Sequence, residues 1–511
     1  MKKSVLLTLG LMLLIPVFIG TPRSNFAEAA KKAADQKTPV KILLREPRES
    51  NPADESKVKK YIEDQSGIKF EVTRLKTEEE YTQRVNIALA SQQDIDVIQV
   101  KYANPSFSDL LERRALLNIT QSVNKYGKNL KKMLPKDLWQ SVSDNQGNIW
   151  AIPEFGGVLR GSFIAIRKDW RVKLGMGPIK TFQELEAYLK AVKNIDFDNN
   201  GVKDTIPLLS FTGYDGFDNP IVSFFTDNVA TGNYLDKGKI TPVILHPKYQ
   251  EYLRRMVQWQ KEGILYRDQF AIKRNQVNDF IAADKVAAVC GWYSDHVRPW
   301  ALLLKKNPEA EYEWIAPKSL SGKGYVRLIT PPPGQAALGI VAYSKNADNA
   351  IKLLDWSMAS PENFWTTKQG IEGQDWKWDN KDKQTVIKLK GVEKPESAFN
   401  FAFSFLVFEP WNFRASNTDW VQGQYYLAWD WMKTIKSTVN PDAYLTYNWK
   451  GTPVDAGMQD AETLIQEAKV KIILGERPIE DWDRVIRQYR GMFGDKYIEL
   501  ATKQYNDKMK K

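Results

Sequence analysis

The chain has 511 residues, 43% hydrophobic and 26% charged, with a formal net charge of +11 and one cysteine. That balance excludes a fibrous or disordered chain, and the lone Cys290 excludes an intrachain disulfide, so stability has to come from buried cores. The basic residues are dispersed and no recognition helix, zinc finger or ribonucleoprotein motif accompanies them, so nucleic acid is not an expected partner.

Lys2 and Lys3 precede an apolar run from about Val5 to Ile19 and an Ala27-Glu28-Ala29 cleavage pattern, which predicts an export signal over residues 1–29. Its removal takes away Lys2, Lys3 and Arg23 against Glu28, lowering the net charge from +11 by 2 to +9. No cysteine adjoins the run, so no lipid anchor is expected; the compartment is the cell envelope, either a Gram-negative periplasm or the medium outside. The remaining roughly 480 residues exceed one ordinary core and predict two or more lobes.

Val40 to Leu44 reads as a first strand, followed by a helix from about Glu55 to Ser66 that stops at Gly67. Ile68 to Val72 reads as a second strand. Thr77-Glu78-Glu79-Glu80 is a capping box that opens a helix with Tyr81, Val85, Ala88 and Leu89 on one face. Ile95 to Val100 is again strand-like. Alternation of strands and helices predicts an α/β fold whose ligand sites lie at strand carboxyl ends. A second such region begins near Gly161 to Ile166 and includes a helix over about Thr181 to Lys193. The proline-rich Pro331 to Gly334, the segment Ala337 to Tyr343 and a helix from about Asn349 to Met358 suggest a return to the first lobe. A helix over Asp460 to Leu474, the stop Gly475-Glu476-Arg477-Pro478 and a final pair of helices from about Asp481 to Lys508 close the chain.

Asp196-Phe197-Asp198-Asn199-Asn200-Gly201-Val202-Lys203-Asp204 places oxygen donors at every second position around a glycine. Calcium takes six to eight hard oxygen ligands, which Asp196, Asp198, Asn200, the Val202 carbonyl and Asp204 can supply if Gly201 makes the turn. A calmodulin-type hand is excluded, because the twelfth position holds Pro207 instead of a bidentate Glu. The competing reading is an Asx-rich turn without metal. A bound ion would be a structural clip, since no cluster of general acids or bases adjoins it.

Four blocks together resemble the extracellular solute-binding proteins of carbohydrate ABC importers, in the large LplA-like branch. They are Tyr81 to Val97; Ile166 to Trp170 with Lys173-Leu174-Gly175; the loop Asp196 to Pro207; and Gly475 to Asp483. The resemblance covers essentially the whole chain after the signal. It implies a two-lobed type II periplasmic-binding-protein fold whose interlobe cleft closes on an oligosaccharide and docks on a membrane ABC permease. It implies a monomer without enzymatic activity, and it transfers the calcium ligands onto the five loop positions above. The lobes would comprise residues 38–152 with 320–395, and 153–319 with 396–511. Thr205 stands where some relatives carry an acid, which bears on the charge of the calcium site.

A glycan cleft needs flat aromatics for C–H faces and polar side chains for hydroxyls. Aromatic residues make up 12% of the chain, including 17 Trp. Trp292 follows a strand-like Val286 to Val289; Trp376 follows Gly370-Ile371-Glu372-Gly373, similar to a turn of the family. Trp411 and Arg414 lie in Glu409 to Arg414 after an apolar run, Tyr102 lies just past a strand, and Glu154 lies in the crossover Ile152 to Phe155. All six are candidate ligand residues. The net charge of +9 after signal removal points toward an acidic, uronate-containing glycan. Among catalytic readings, no G-x-S-x-G occurs, and a Cys290–His296 pair is less expected than a buried thiol with a solvated imidazole. A carboxylate-pair glycosidase or polysaccharide lyase is the alternative, and a sugar-sensing partner of a membrane kinase would share the fold.

Overall fold

A computed structural model describes residues 38–45, 52–100, 107–144, 146–153, 161–198, 200–227, 232–321, 337–389, 414–435, 441, 447, 449 and 451–509. The predicted export signal and Pro331 to Gly334 lie outside them. In chain order the strands are β1 (Val40–Arg45), β2 (Phe70–Leu75), β3 (Val97–Val100), β4 (Ala151–Pro153), β5 (Ser162–Arg167), β6 (Ile206–Ser210), β7 (Asn233–Asp236), β8 (Lys239–Pro242), β9 (Val286–Trp292), β10 (Tyr312–Ile315), β11 (Ala337–Ile340), β12 (Trp376–Asn380), β13 (Thr385–Lys388) and β14 (Arg414–Ala415).

Two main sheets carry two lobes. The first has the order β2-β1-β3-β11-β4, with β1 parallel to β2 and β3, and β11 antiparallel to β3 and β4. The second has the order β10-β5-β9-β6, with β6 parallel and β5 antiparallel to β9. Each is covered on both faces, which is why its strands read as continuous apolar runs. Val40, Ile42 and Leu44 enter one core of the first lobe while Leu43 enters the other; Ala288 and Cys290 oppose Val289 in the second.

Local sequence chemistry sets the element ends. Thr77 and Thr181 each accept from the backbone N–H of Glu80 and Glu184, whose carboxylates return the bond to the cap amide. The helix Pro52–Ser66 stops where Gly67 adopts φ +70° and donates its N–H to the Glu63 carbonyl at 2.9 Å. The helix expected from Asp460 starts earlier, at Pro453, because Thr452 caps it. The expected final pair of helices is Trp482–Tyr489 and Asp495–Met509, joined by a π turn over Arg490–Gly494.

One lobe boundary differs from expectation. β14 pairs with β13, and Ala415 is buried in the first lobe's core with Trp376 and Val386. The chain therefore leaves the first lobe after Ala415, not at residue 396. The helix Trp420–Thr434 that follows buries Ala428 and Met432 in the second lobe's core. Among the described residues no helix is long and apolar enough to cross a membrane.

Candidate functional site

The chain enters the second lobe at Gly161, and β5 begins with Ser162 paired to Trp292 at the carboxyl end of β9. The Tyr293 N–H donates to the Gly161 carbonyl at 3.1 Å. This is the carboxyl end of β9 and of the parallel β6, which is where an open α/β sheet presents ligands.

An aromatic floor is built there. Trp292 is half-buried, and its ring centroid lies 6.0 Å from that of Tyr293. Trp314 donates its indole N–H to the Tyr293 carbonyl at 3.0 Å and lies 6.2 Å from Trp431. Trp431 meets Phe163 edge-on at 4.7 Å, and Tyr425 meets Tyr293 at 6.4 Å. Beside the floor, Asp295 accepts from the Trp292 N–H at 2.8 Å and pairs with Arg274, whose guanidinium lies 4.9 Å over Phe211. Gly291 allows this approach, since a Cβ there would stand 2.6 Å from the Phe211 ring. The exposed Arg298 stands beside the Tyr425 phenol.

His296 is the correction among the polar residues. Expected in solvent, it is 2% exposed beneath the floor, among Trp300, Tyr312 and Trp314, and its Nε2 has no protein partner. Burial lowers its pKa to about 3, so the imidazole is neutral. Cys290 is wholly buried and burial pushes its thiol well above the ordinary range, which makes it a poor nucleophile.

The other expected ligand residues are not brought to this floor. Trp376 is 0% exposed in the first lobe's core, where its indole N–H donates to the Gly370 carbonyl at 2.9 Å and Trp365 and Trp378 pack edge-on against it. It has no free face for a sugar; the turn before it folds it inward. Arg414 forms a bidentate pair with Asp430 of the helix Trp420–Thr434, so its fork is engaged within the protein. Tyr102, Glu154 and Trp411 lie outside the described residues. Trp314, Tyr425 and Trp431 were not singled out from sequence. The aromatic density of Trp420 to Trp431 was the available signal.

The loop Asp196 to Asp204 folds around Gly201 at φ +84°. Asp196 accepts from the N–H groups of Asn200 at 3.1 Å and Gly201 at 2.8 Å, and the Asn200 side chain donates to Asp198 at 2.8 Å. Partial burial, then the neighbouring Asp196 and Asp204, push the Asp198 pKa up. Asp204 is turned onto the Lys285 ammonium. The donors are hard oxygens suited to calcium. Among the described residues, however, no group of three or more His, Cys, Asp or Glu side chains stands ready to hold a metal.

Residues 49–363 match the model of the bacterial extracellular solute-binding protein family. The chain belongs to that family. Its members are binding proteins and not enzymes. This solute-binding protein is 24% identical over 270 residues to lipoprotein LipO of Bacillus subtilis, an alignment spanning 52% of each chain. It is 23% identical over 306 residues, 55% of each chain, to the fructooligosaccharide ABC transporter substrate-binding protein FusA of Streptococcus pneumoniae. The chain thus aligns with about half the length of these relatives. In fold it resembles FusA in complex with kestose, with a TM-score of 0.69 at 17% identity, covering 93% of this chain and 100% of that one. It also resembles the alginate-binding protein AlgQ2 without calcium ion, with a TM-score of 0.64 at 17% identity, covering 92% and 98%.

Proposed function

We propose that this protein captures an oligosaccharide between its lobes and delivers it to a membrane ABC importer. The observation that carries this reading is the aromatic floor at the carboxyl end of β9, with half-buried Trp292 beside Tyr293 and with Trp314 and Trp431 packed together next to Phe163. Indole and phenol faces suit the C–H faces of sugar rings, and FusA is a fructooligosaccharide-binding relative. An acidic glycan is favoured by the +9 formal charge after signal removal and by the exposed Arg298 beside the floor. Export to the cell envelope and action as a monomer complete the proposal.

The loop Asp196 to Asp204 would hold calcium through Asp196, Asp198, Asn200, the Val202 carbonyl and Asp204, as a clip between the helix Phe182–Val192 and β6. The oxygen donor set supports it, as do the EF-hand mutant of FusA and the AlgQ2 structure without calcium ion among similar folds.

The test is a thermal-shift screen against neutral and uronate-containing oligosaccharides, with each hit checked for chain length. A ligand at a hundred times its Kd adds about 2.7 kcal/mol, and Trp292→Ala should weaken binding about tenfold, ~1.4 kcal/mol. Shortened glycan would sink the reading in favour of an enzyme, and unchanged affinity of the variant would move the site away from the floor.

A further inference from the structure

The loop Asp196 to Asp204 is joined to the second lobe by a closed circuit of contacts. Phe197 stacks on Trp170 with centroids 4.2 Å apart and planes 6° from parallel. The Arg167 guanidinium lies 4.2 Å from the Trp170 ring centroid and pairs with Asp284. Asp284 sits at φ +67°, also accepts from Asn307 at 2.8 Å, and is followed by Lys285. The Lys285 ammonium then returns to the loop at Asp204, and Asp198 attracts it as well.

Lys285 does not reach Asp204 on a free tether. Its N–H donates to the Phe280 carbonyl at 3.1 Å, and its carbonyl accepts from the Ile206 N–H at 2.8 Å, two residues beyond Asp204. The main chain that bears the ammonium is thus stitched to the strand that follows the loop. Thr205 closes the loop's base by donating to the Ile195 carbonyl at 2.8 Å. A monovalent cation is in this way built into the side of the loop that a divalent one would need.

We propose that Lys285 is the loop's resident cation: it neutralises Asp204 when no metal is bound, and calcium has to displace it. This rests on the calcium reading above. It follows that the loop keeps its fold without metal, and that calcium binds more weakly than the donors alone would dictate. No covalent or redox step is involved, only exchange of one cation for another at a carboxylate.

The experiment compares the protein with its Lys285→Met and Lys285→Gln variants, titrating calcium alone by calorimetry after chelation and recording melting in chelator. Both variants should bind calcium roughly fivefold more tightly, the scale of a partly exposed ion pair. They should also melt about 2 °C lower in chelator, with the difference closing at saturating calcium. Calcium bound with equal affinity by all three proteins would overturn the displacement while leaving the calcium reading standing. No calcium heat from any of them would remove both. Equal melting in chelator would show that Lys285 does not support the empty loop.

Discussion

His296 shows what a single buried imidazole does to stability. Its pKa is lowered to about 3 from an ordinary 6.5 by burial, so the folded protein keeps it neutral while the unfolded chain protonates it. Between those values the unfolded state binds the extra proton, and stability falls as pH falls, by up to about 1.4 kcal/mol per pH unit from this group. His296→Phe keeps a ring among Trp300, Tyr312 and Trp314 and removes the titration. Its melting temperature should decline less steeply than wild type between about pH 6 and pH 4, and parallel pH profiles would refute the assignment. From sequence His296 is expected in solvent, because a separation of six residues along one chain gives no reason for it to share the burial of Cys290. Only the crossing of three other aromatic side chains over it decides otherwise, and no local pattern carries that. Trp376 has the same explanation in reverse: its turn was legible, but the direction in which the turn throws the ring depends on Trp365 and Trp378.

At the scale of elements, ion pairs join helices that sequence cannot pair. Lys469, on the helix Pro453–Ile473, is 1% exposed and contacts Asp218 at 2.9 Å as well as Asp215, both on the helix Asp215–Thr226. The Tyr252 hydroxyl donates to Asp218 at 2.6 Å. Asp215 is exposed, so Lys469→Ala would strand the Asp218 carboxylate alone in the core and should cost about 3 kcal/mol, measured by denaturant unfolding. A loss under about 1 kcal/mol would mean that water reaches the cluster. What was legible at this scale is local: both capping boxes, the Gly67 stop and the apolar runs of β1, β5, β6 and β9 follow from neighbouring residues. The exit of the chain from the first lobe after Ala415 was not, because β14 is two residues long and its pairing with β13 is a long-range event. Arg414 was singled out for its fork, and it uses that fork on Asp430.

For the whole molecule, the proposed capture between two separately cored sheets would proceed by hinge closure of one upon the other. A glycan contacting both lobes should stabilise the closed arrangement, and X-ray scattering should show a smaller radius of gyration with ligand than without. An unchanged radius at saturating ligand would count against closure. The two-lobed α/β plan was legible because each lobe writes its own alternation of strands and helices. The residues that furnish the floor come from β9, β10 and the helix Trp420–Thr434, far apart along the chain, so only Trp292 among them was found in advance.

That last helix has a double tenancy. Its amino end follows β14 of one lobe, its Asp430 is gripped by Arg414 of that strand, and its Trp431 leans on Phe163 and Trp314 of the other lobe. A molecule resting on this floor would press against a rod that touches both halves at once, so a push felt at one grip is handed to the other.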